Sequence, residues 1–217
     1  MKYPTIIISF VLIISLLSCT NEVKQSDEKQ KVSDENIRIS YVYQNDEQTK
    51  SVKKRGAVIA KVSTVALGKA LQSAIKEGGP EQALTFCNHQ AIKITDSLSK
   101  AEGAVIKRVA KKNRNPENEM SAVESKVFKQ FLMEWLSGKT LEAKLTIDEN
   151  NHPVYYKPIL TTKNCLVCHG KPGKNIPENM ADKIAELYPE DKAINFEDGH
   201  PRGMWVISFP EIKVNKN

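Results

Sequence analysis

Two cysteines and a histidine lie close together in the sequence towards the carboxyl end of the chain. Cys165, Cys168 and His169 form C-x-x-C-H, the signature of c-type haem. Two thiols a helical turn apart can add across the two vinyl groups of one porphyrin, and the histidine that follows stands under the ring as the proximal iron ligand. The pattern therefore predicts one covalently bound haem c.

A bare C-x-x-C is also typical of a redox disulfide or of half a zinc site. A zinc ribbon needs a second ligand pair at similar spacing, and the sequence offers none. A thioredoxin-like motif normally lies in a βαβ context, which the sequence pattern also lacks. The haem interpretation is therefore the favoured one.

The amino terminus predicts export. Lys2 precedes a short apolar run that ends at Leu17, Ser18 and Cys19. The run is short for a membrane span and stops at a small residue before cysteine, so residues 1–18 are expected to be a lipoprotein signal peptide, with an uncleaved anchor as the alternative. Lipidation of Cys19 would tether the chain to a membrane, facing the periplasm or the cell exterior.

Composition divides the remainder into a tether and one domain. Residues 19–52 are rich in polar and charged side chains and are expected to be flexible. Residues 53–217 suffice for a single haem c domain with one core. The 217-residue chain has a formal net charge of +6, which would suggest nucleic-acid binding in the cytosol. Export excludes that partner, and the run 53–55 is expected to be a solvated face or to attract anionic lipid headgroups.

Hydrophobic periodicity predicts the helices. One helix over 56–77 is broken at Gly78, Gly79 and Pro80, and a second helix containing Cys87 follows, so that the two form a hairpin. A third helix ends near Gly138. Its predicted apolar face consists of Val123, Val127, Phe128, Phe131, Leu132 and Trp135.

Alternating patterns predict a small antiparallel sheet. Two strands flank a turn-forming cluster at 148–151, and a short helix precedes the last strand. The predicted strands are 104–110, 141–147, 153–160 and 203–209, and the short helix is 180–187. The fold class is therefore α+β, with helices beside the sheet.

Cys87 is the cysteine left without an assigned role. It lies in a helical apolar stripe that includes Leu84 and Ala91. A free cysteine in such a stripe is either a small buried hydrophobe or, in this chain, an iron ligand, and the pattern favours neither. His89 falls two residues later, on roughly the opposite side of the helix, and is expected to be solvated.

Several separated motifs resemble those of the Tll-type haem domain, a mono-haem c module with a PAS-like fold, over about residues 56–210. The motifs are 83–88, 112–116, 155–159, 165–170 and 188–189 with 199–203. The resemblance implies a six-coordinate iron with histidine and cysteine as axial ligands. Carried over by position, these are His169 and Cys87. His89 is not a position of the family pattern, so ligand exchange to it stays open.

Other residues are candidates for the haem pocket. Arg114 and Arg202 both lie in family-like motifs, and a guanidinium can form a bidentate contact with a haem propionate. Tyr155 and Tyr156 alternate faces on a strand, so one is expected to pack on the porphyrin while the other faces outward.

The ligand pair suggests a function. A thiolate favours ferric iron, so reduction would weaken the bond to Cys87 and open a coordination site. The chain is therefore expected to be a redox or gas sensor for NO, CO or O₂, and not an enzyme. The alternative is an electron-transfer cytochrome with fixed ligands, for which Met120, Met133, Met180 and Met204 are substitute ligands. A haem peroxidase using His89 or His200 is the least favoured function.

Overall fold

The computed structural model describes residues 47–214, apart from the side chains of residues 87–89. The expectations for the signal peptide, for Cys19 and for most of the tether lie outside these residues. The side chains of Cys87 and His89 also lie outside them, although the backbone of both is helical.

The predicted helical hairpin is confirmed. Helix α1, Glu47–Glu102, is interrupted at Gly78 and Gly79, and Gly79 has φ 76, a left-handed value that favours glycine. Arg55 Nη2 in the first arm donates to the carbonyl of Glu102 at the end of the second. Because a straight helix would separate these residues by roughly 70 Å, the two arms run antiparallel.

The described residues include the last six of the segment predicted to be a tether, 47–52. Helix α1 starts at Glu47, and the Val52 side chain is buried in the core. By length and composition alone, the segment Glu47–Phe86 is apolar enough to cross a membrane. In the structure one side of it packs on the sheet through Val52 and Ile59, while Val58 and neighbouring apolar residues are exposed.

Four antiparallel strands form one sheet among the described residues. They are β1 Val105–Val109, β2 Lys144–Ile147, β3 Pro153–Leu160 and β4 Pro201–Ser208, in the order β1-β4-β3-β2. All four predicted strands are present, with small differences at their ends. The central pair is therefore β3 and β4, although more than thirty residues separate them along the chain.

Each face of the sheet supports its own core. On one face, Tyr155, Trp205 and Ile207 pack against α1. On the other, Tyr156, Met204 and Val206 pack against α2, Ala122–Leu136. Alternation along β3 and β4 puts successive side chains on opposite faces, so the α+β prediction of helices beside an antiparallel sheet is confirmed.

Helix α2 buries half of the six residues of its predicted apolar face and partly buries Leu132 and Trp135. Val127, Phe128 and Phe131 are buried, but Val123 is 46% exposed, so its assignment to the apolar face is wrong. Val123 lies in the first turn, next to a capping box in which Ser121 and Glu124 exchange hydrogen bonds. The cap determines how the chain enters the helix and leaves Val123 facing solvent.

Two short helices complete the described fold. Helix α3, Leu166–His169, follows a 3₁₀ turn at Lys163–Cys165, and α4 is Glu178–Leu187. Met180 and Ile184 of α4 pack against Leu84 of α1. This cluster joins the second arm of the hairpin to the segment that follows α3.

Phe131→Ala tests the α2 core. Phe131 is fully buried, so its truncation should lower the free energy of unfolding by about 3–5 kcal/mol. The matched control is Met133→Ala on the same helix: Met133 is 59% exposed, and its change should stay within about 0.5 kcal/mol. Urea unfolding of the purified chain measures both values. Equal effects would contradict the described packing.

Candidate functional site

Three chain segments leave the sheet at the same end. The end of β1 lies beside the start of β4, where Val109 pairs with Met204. The end of β3 lies on the other side of β4, where Leu160 pairs with Pro201. The segments after β1, after β3 and before β4 therefore meet, and they contain Arg114, the C-x-x-C-H turn and residues 191–196.

The two cysteines of the turn are available for chemistry. Neither Cys165 nor Cys168 is in a disulfide, and both side chains are partly exposed. Cys165 lies at the end of the 3₁₀ turn and Cys168 in α3, so a single turn of chain carries both thiols. The Cys165 sulfur is 3.3 Å from Thr162 Oγ1.

His169 is held as a neutral imidazole with a defined tautomer. Its Nδ1 lies 2.8 Å from the carbonyl oxygen of Ala193. Because a carbonyl can only accept, Nδ1 carries the proton and the lone pair is on Nε2. Burial, and then the positive charges of Arg202 and Arg114, hold the pKa of His169 well below 6.5. This is the form in which histidine binds a metal.

Three consecutive carbonyls of the turn accept hydrogen bonds from outside it. Arg114 Nη2 donates to Cys168 O at 2.7 Å. Phe196 N donates to His169 O and Asn195 N donates to Gly170 O, each at 2.9 Å. Residues 191–196 therefore lie along the turn, and the Phe196 ring meets the imidazole edge-on with 6.4 Å between centroids.

Arg114 is already engaged by protein groups. The same Nη2 that binds Cys168 O also donates to Asp191 Oδ2 at 2.9 Å. Both side chains of this ion pair are buried, with 9% and 7% exposure. The Arg114 Nε is buried and has no hydrogen-bond partner among the described residues.

Arg202 lies in a positively charged environment. Its pKa is lowered to about 10 by burial, and then by the charges of Arg108 and Arg114. Arg202 Nη1 donates to Lys112 O at 2.8 Å, and the guanidinium lies over the Phe196 ring. Its Nε is buried without a partner in the described part of the chain. A buried cluster of cations with orphaned donors is suited to an anionic group.

Both predicted tyrosines are buried, so neither faces outward as one was expected to do. They do lie on opposite faces of the sheet. The Tyr155 ring packs directly against Gly56 of α1, where an added Cβ would lie 2.4 Å from Tyr155 Cγ. Contact of Tyr155 with a haem stays a prediction.

The helix that carries Cys87 passes close to this site. One turn before Cys87, Leu84 is buried in a cluster with Tyr188, and Ile194 packs on the same cluster. Tyr188 lies under the Arg114 guanidinium, with 5.8 Å between Cζ and the ring centroid. The second arm of α1 therefore contacts the segment of Tyr188 and Ile194, which also contains the Ala193 carbonyl that binds His169. Ligation of an iron by Cys87 stays a prediction.

The alternative ligands lie in varied surroundings. Met120 and Met204 are buried in the core beside α2, Met180 packs in the α4 cluster, and Met133 is exposed. His200 meets the edge of the Trp135 ring at 4.8 Å. Among the described side chains, which do not include those of 87–89, no group of three or more His, Cys, Asp or Glu could hold a metal.

Sequence analysis missed Asp191, Ala193 and Phe196. In the sequence, Asp191 is an acidic residue two positions after Pro189. That pattern is typical of a turn residue that binds its own backbone, and it does not indicate a contact with a distant arginine. Nothing in the sequence indicated that Ala193 accepts from His169, because that contact uses a backbone carbonyl.

Comparison with known proteins adds a family and a fold. Residues 20–210 match the Tll0287-like family, Tll0287. Among solved structures, the chain is similar to the crystal structure of the cyanobacterial heme-protein Tll0287, with 24% sequence identity and a TM-score of 0.54. That match covers 79% of this chain and 99% of the other. Comparison with curated proteins gives no match.

Gly170→Ala tests the close packing of the turn. A Cβ at Gly170 would lie 2.4 Å from Asn175 Cβ and 2.6 Å from Leu166 O, so we expect a loss of about 1–3 kcal/mol in unfolding free energy. Gly68→Ala is the control. Nothing lies within 4 Å of its Cβ position, and removing a mid-helix glycine should stabilise by about 0.5–1 kcal/mol. Chemical denaturation measures the free energy of unfolding of both variants. A change of the same sign in both would contradict the close packing at Gly170.

Proposed function

Because the chain belongs to the Tll0287-like family, we propose that it binds one haem c, through thioethers from Cys165 and Cys168 and through His169 as an iron ligand. The observation that carries this proposal is the state of His169. Its Nδ1–H donates a hydrogen bond to the Ala193 carbonyl. The lone pair that an iron needs is therefore on Nε2. The two cysteines, which form no disulfide, lie within one turn of it.

The positively charged cluster supports the same assignment. A haem has two propionates, and the cluster formed by Arg202, Arg108, Arg114 and Lys112 contains one ion-paired carboxylate, Asp191. Arg202 is the better candidate for a propionate contact, since its Nε is orphaned and it forms no described ion pair. Arg114 would contribute through Nε, because its Nη2 is engaged by Asp191 and Cys168.

Cys87 is proposed as the second axial ligand. Support comes from Leu84, which lies one turn earlier on α1 and is buried against the segment around Tyr188. The PAS-like form of the fold, implied by the sequence resemblance, belongs to the same proposal. When bound, the haem would supply a redox-active iron whose potential depends on its axial ligands.

A sensor is the role that this ligand pair favours. His169 and Cys87 would hold the iron, and reduction by a redox partner would weaken the bond to the Cys87 thiolate, so that a thiol protonated from solvent would leave the iron open to a diatomic gas. The α1 segment around Cys87 lies between the Gly78–Gly79 break and an end tied by Arg55 to Glu102. We expect loss of the ligand to move the part of this arm between those two points.

The remaining parts of the proposal concern place and partners. The chain would be an exported lipoprotein tethered through Cys19, with a diatomic gas or a redox protein as its partner and no nucleic acid. The alternative function is electron transfer with fixed ligands, and an enzymatic role is not proposed. Met180 is the methionine with a specific observation in its favour, since it packs with Leu84 near Cys87.

Cys165→Ala and Cys168→Ala test covalent attachment. Each single variant should keep haem bound through one thioether, and its alkaline pyridine spectrum should shift towards that of a porphyrin with one free vinyl group. The double variant should release haem on acid-acetone extraction. Cys87→Ala is the control and should keep both thioethers. Complete extraction of haem from the wild-type chain would contradict the proposal.

Redox titration of the Cys87→Ala variant tests the sensor. The wild-type holoprotein should show a low midpoint, thiolate-type ferric bands, a change of ligand on reduction, and CO binding in the ferrous state. The variant should have a higher midpoint and no thiolate bands. Thr85→Ala, on the same helix, should match the wild type. A high midpoint with one unchanging spectrum and no CO binding would favour the electron carrier and reduce Cys87 to core packing.

A further inference from the structure

We propose that Asp191 is a positioning residue for His169, acting through the backbone of Ala193, and that Arg114 holds Asp191 in place for this role. The inference rests on the proposed function, because it takes His169 to be an iron ligand. It assigns a role to a carboxylate that touches neither the histidine nor the two cysteines through any described bond.

Asp191 binds two different partners with its two oxygens. Oδ1 accepts from the backbone N of Ala193 at 2.8 Å, and Oδ2 accepts from Arg114 Nη2 at 2.9 Å. The carboxylate is 7% exposed. Charge-assisted hydrogen bonds of this kind are stronger than neutral ones, so the carboxylate has a fixed orientation.

The backbone of Ala193 links Asp191 to the imidazole through the two peptide units that flank its Cα. Ala193 is fully buried, its N–H is bound to Asp191, and its carbonyl accepts from His169 Nδ1 at 2.8 Å. The acceptor on Nδ1 fixes the ring orientation of a metal-binding histidine and raises its basicity. A residue that aims this carbonyl therefore influences how strongly Nε2 donates.

Arg114 connects Asp191 to the backbone of the C-x-x-C-H turn. Its Nη2 binds Asp191 and also binds Cys168 O, the carbonyl of the residue immediately before His169. His169 is therefore held from its side chain through Ala193 and from its backbone through Arg114, and both supports meet at Asp191. Lys192 N also donates to Asn113 O, which joins the two supporting segments beside the ion pair.

Substitutions of Asp191 can separate geometry from charge. Asp191→Asn removes the negative charge, whereas Asp191→Glu keeps it and displaces the carboxylate by one methylene. Glu190→Gln makes the same charge change at the exposed neighbouring residue and serves as the control. The quantities to measure are the midpoint potential of the holoprotein and the hydrogen-exchange rate of the Ala193 amide.

Both Asp191 variants should raise the midpoint potential. Asp191→Glu displaces the acceptor and should speed Ala193 exchange about tenfold, as expected for loss of one buried hydrogen bond, whereas Asp191→Asn keeps an amide oxygen that can accept from Ala193 N and should change the exchange less. Glu190→Gln should change neither quantity. A shift in Asp191→Asn with wild-type behaviour in Asp191→Glu would mean that charge alone acts, and would overturn positioning. Rapid Ala193 exchange in the wild-type chain would also overturn it. If Asp191→Asn does not fold, the midpoint potential and the Ala193 exchange rate of Asp191→Glu, together with Ala193 exchange in the wild-type chain, still test the positioning role.

The two readouts distinguish failure of this inference from failure of the proposed function. Hydrogen exchange needs no haem, so a chain that binds none would refute the function while the Ala193 amide still reports on Asp191. A haem-loaded chain whose potential and Ala193 exchange are both unchanged in Asp191→Glu would refute the positioning role alone.

Discussion

A helix of one turn does not hold its own shape, and α3 has four residues. Forming a first turn fixes several residues in exchange for one hydrogen bond, so it is unfavourable without outside support. Here the support consists of hydrogen bonds to the carbonyls of Cys168, His169 and Gly170. The geometry of the candidate site is therefore produced by tertiary contacts, and the helix is a result of them.

Those contacts depend in turn on the sheet. Because β4 lies between β1 and β3, the ends of three strands bring together segments that are distant in sequence. The hairpin α1 packs on one face of this sheet and α2 on the other. The two apolar cores therefore lie on the faces of the sheet, and the charged cluster lies at the strand ends. There the buried polar groups can form hydrogen bonds with the backbone.

Much of the fold follows from local patterns. The break at Gly78 and Gly79, the alternation along β3 and the apolar face of α2 each predicted the element observed. The assignment of Val123 to the apolar face was wrong because Val123 lies in the first turn, where the capping box of Ser121 and Glu124 determines the local conformation. Apolar periodicity carries no information about such a cap. In the site, C-x-x-C-H pointed to His169, and Arg114 was among the candidates for the haem pocket. The hydrogen bonds of Asp191 with Arg114 and with Ala193 could not be predicted, because they depend on which loops meet and on backbone atoms that carry no sequence signal.

The central position of the last strand has a consequence for the order of folding. Strand β4 pairs with both β1 and β3, and Val105 pairs with Ser208 across almost half of the chain. Long-range pairings of this kind close slowly. Residues 191–196 also follow the C-x-x-C-H turn, so during synthesis Cys165 and Cys168 emerge before the chain that later binds the carbonyls of the turn. An enzyme that modified these thiols before the domain folds would meet a flexible loop, and one that acted afterwards would meet a loop held by those hydrogen bonds.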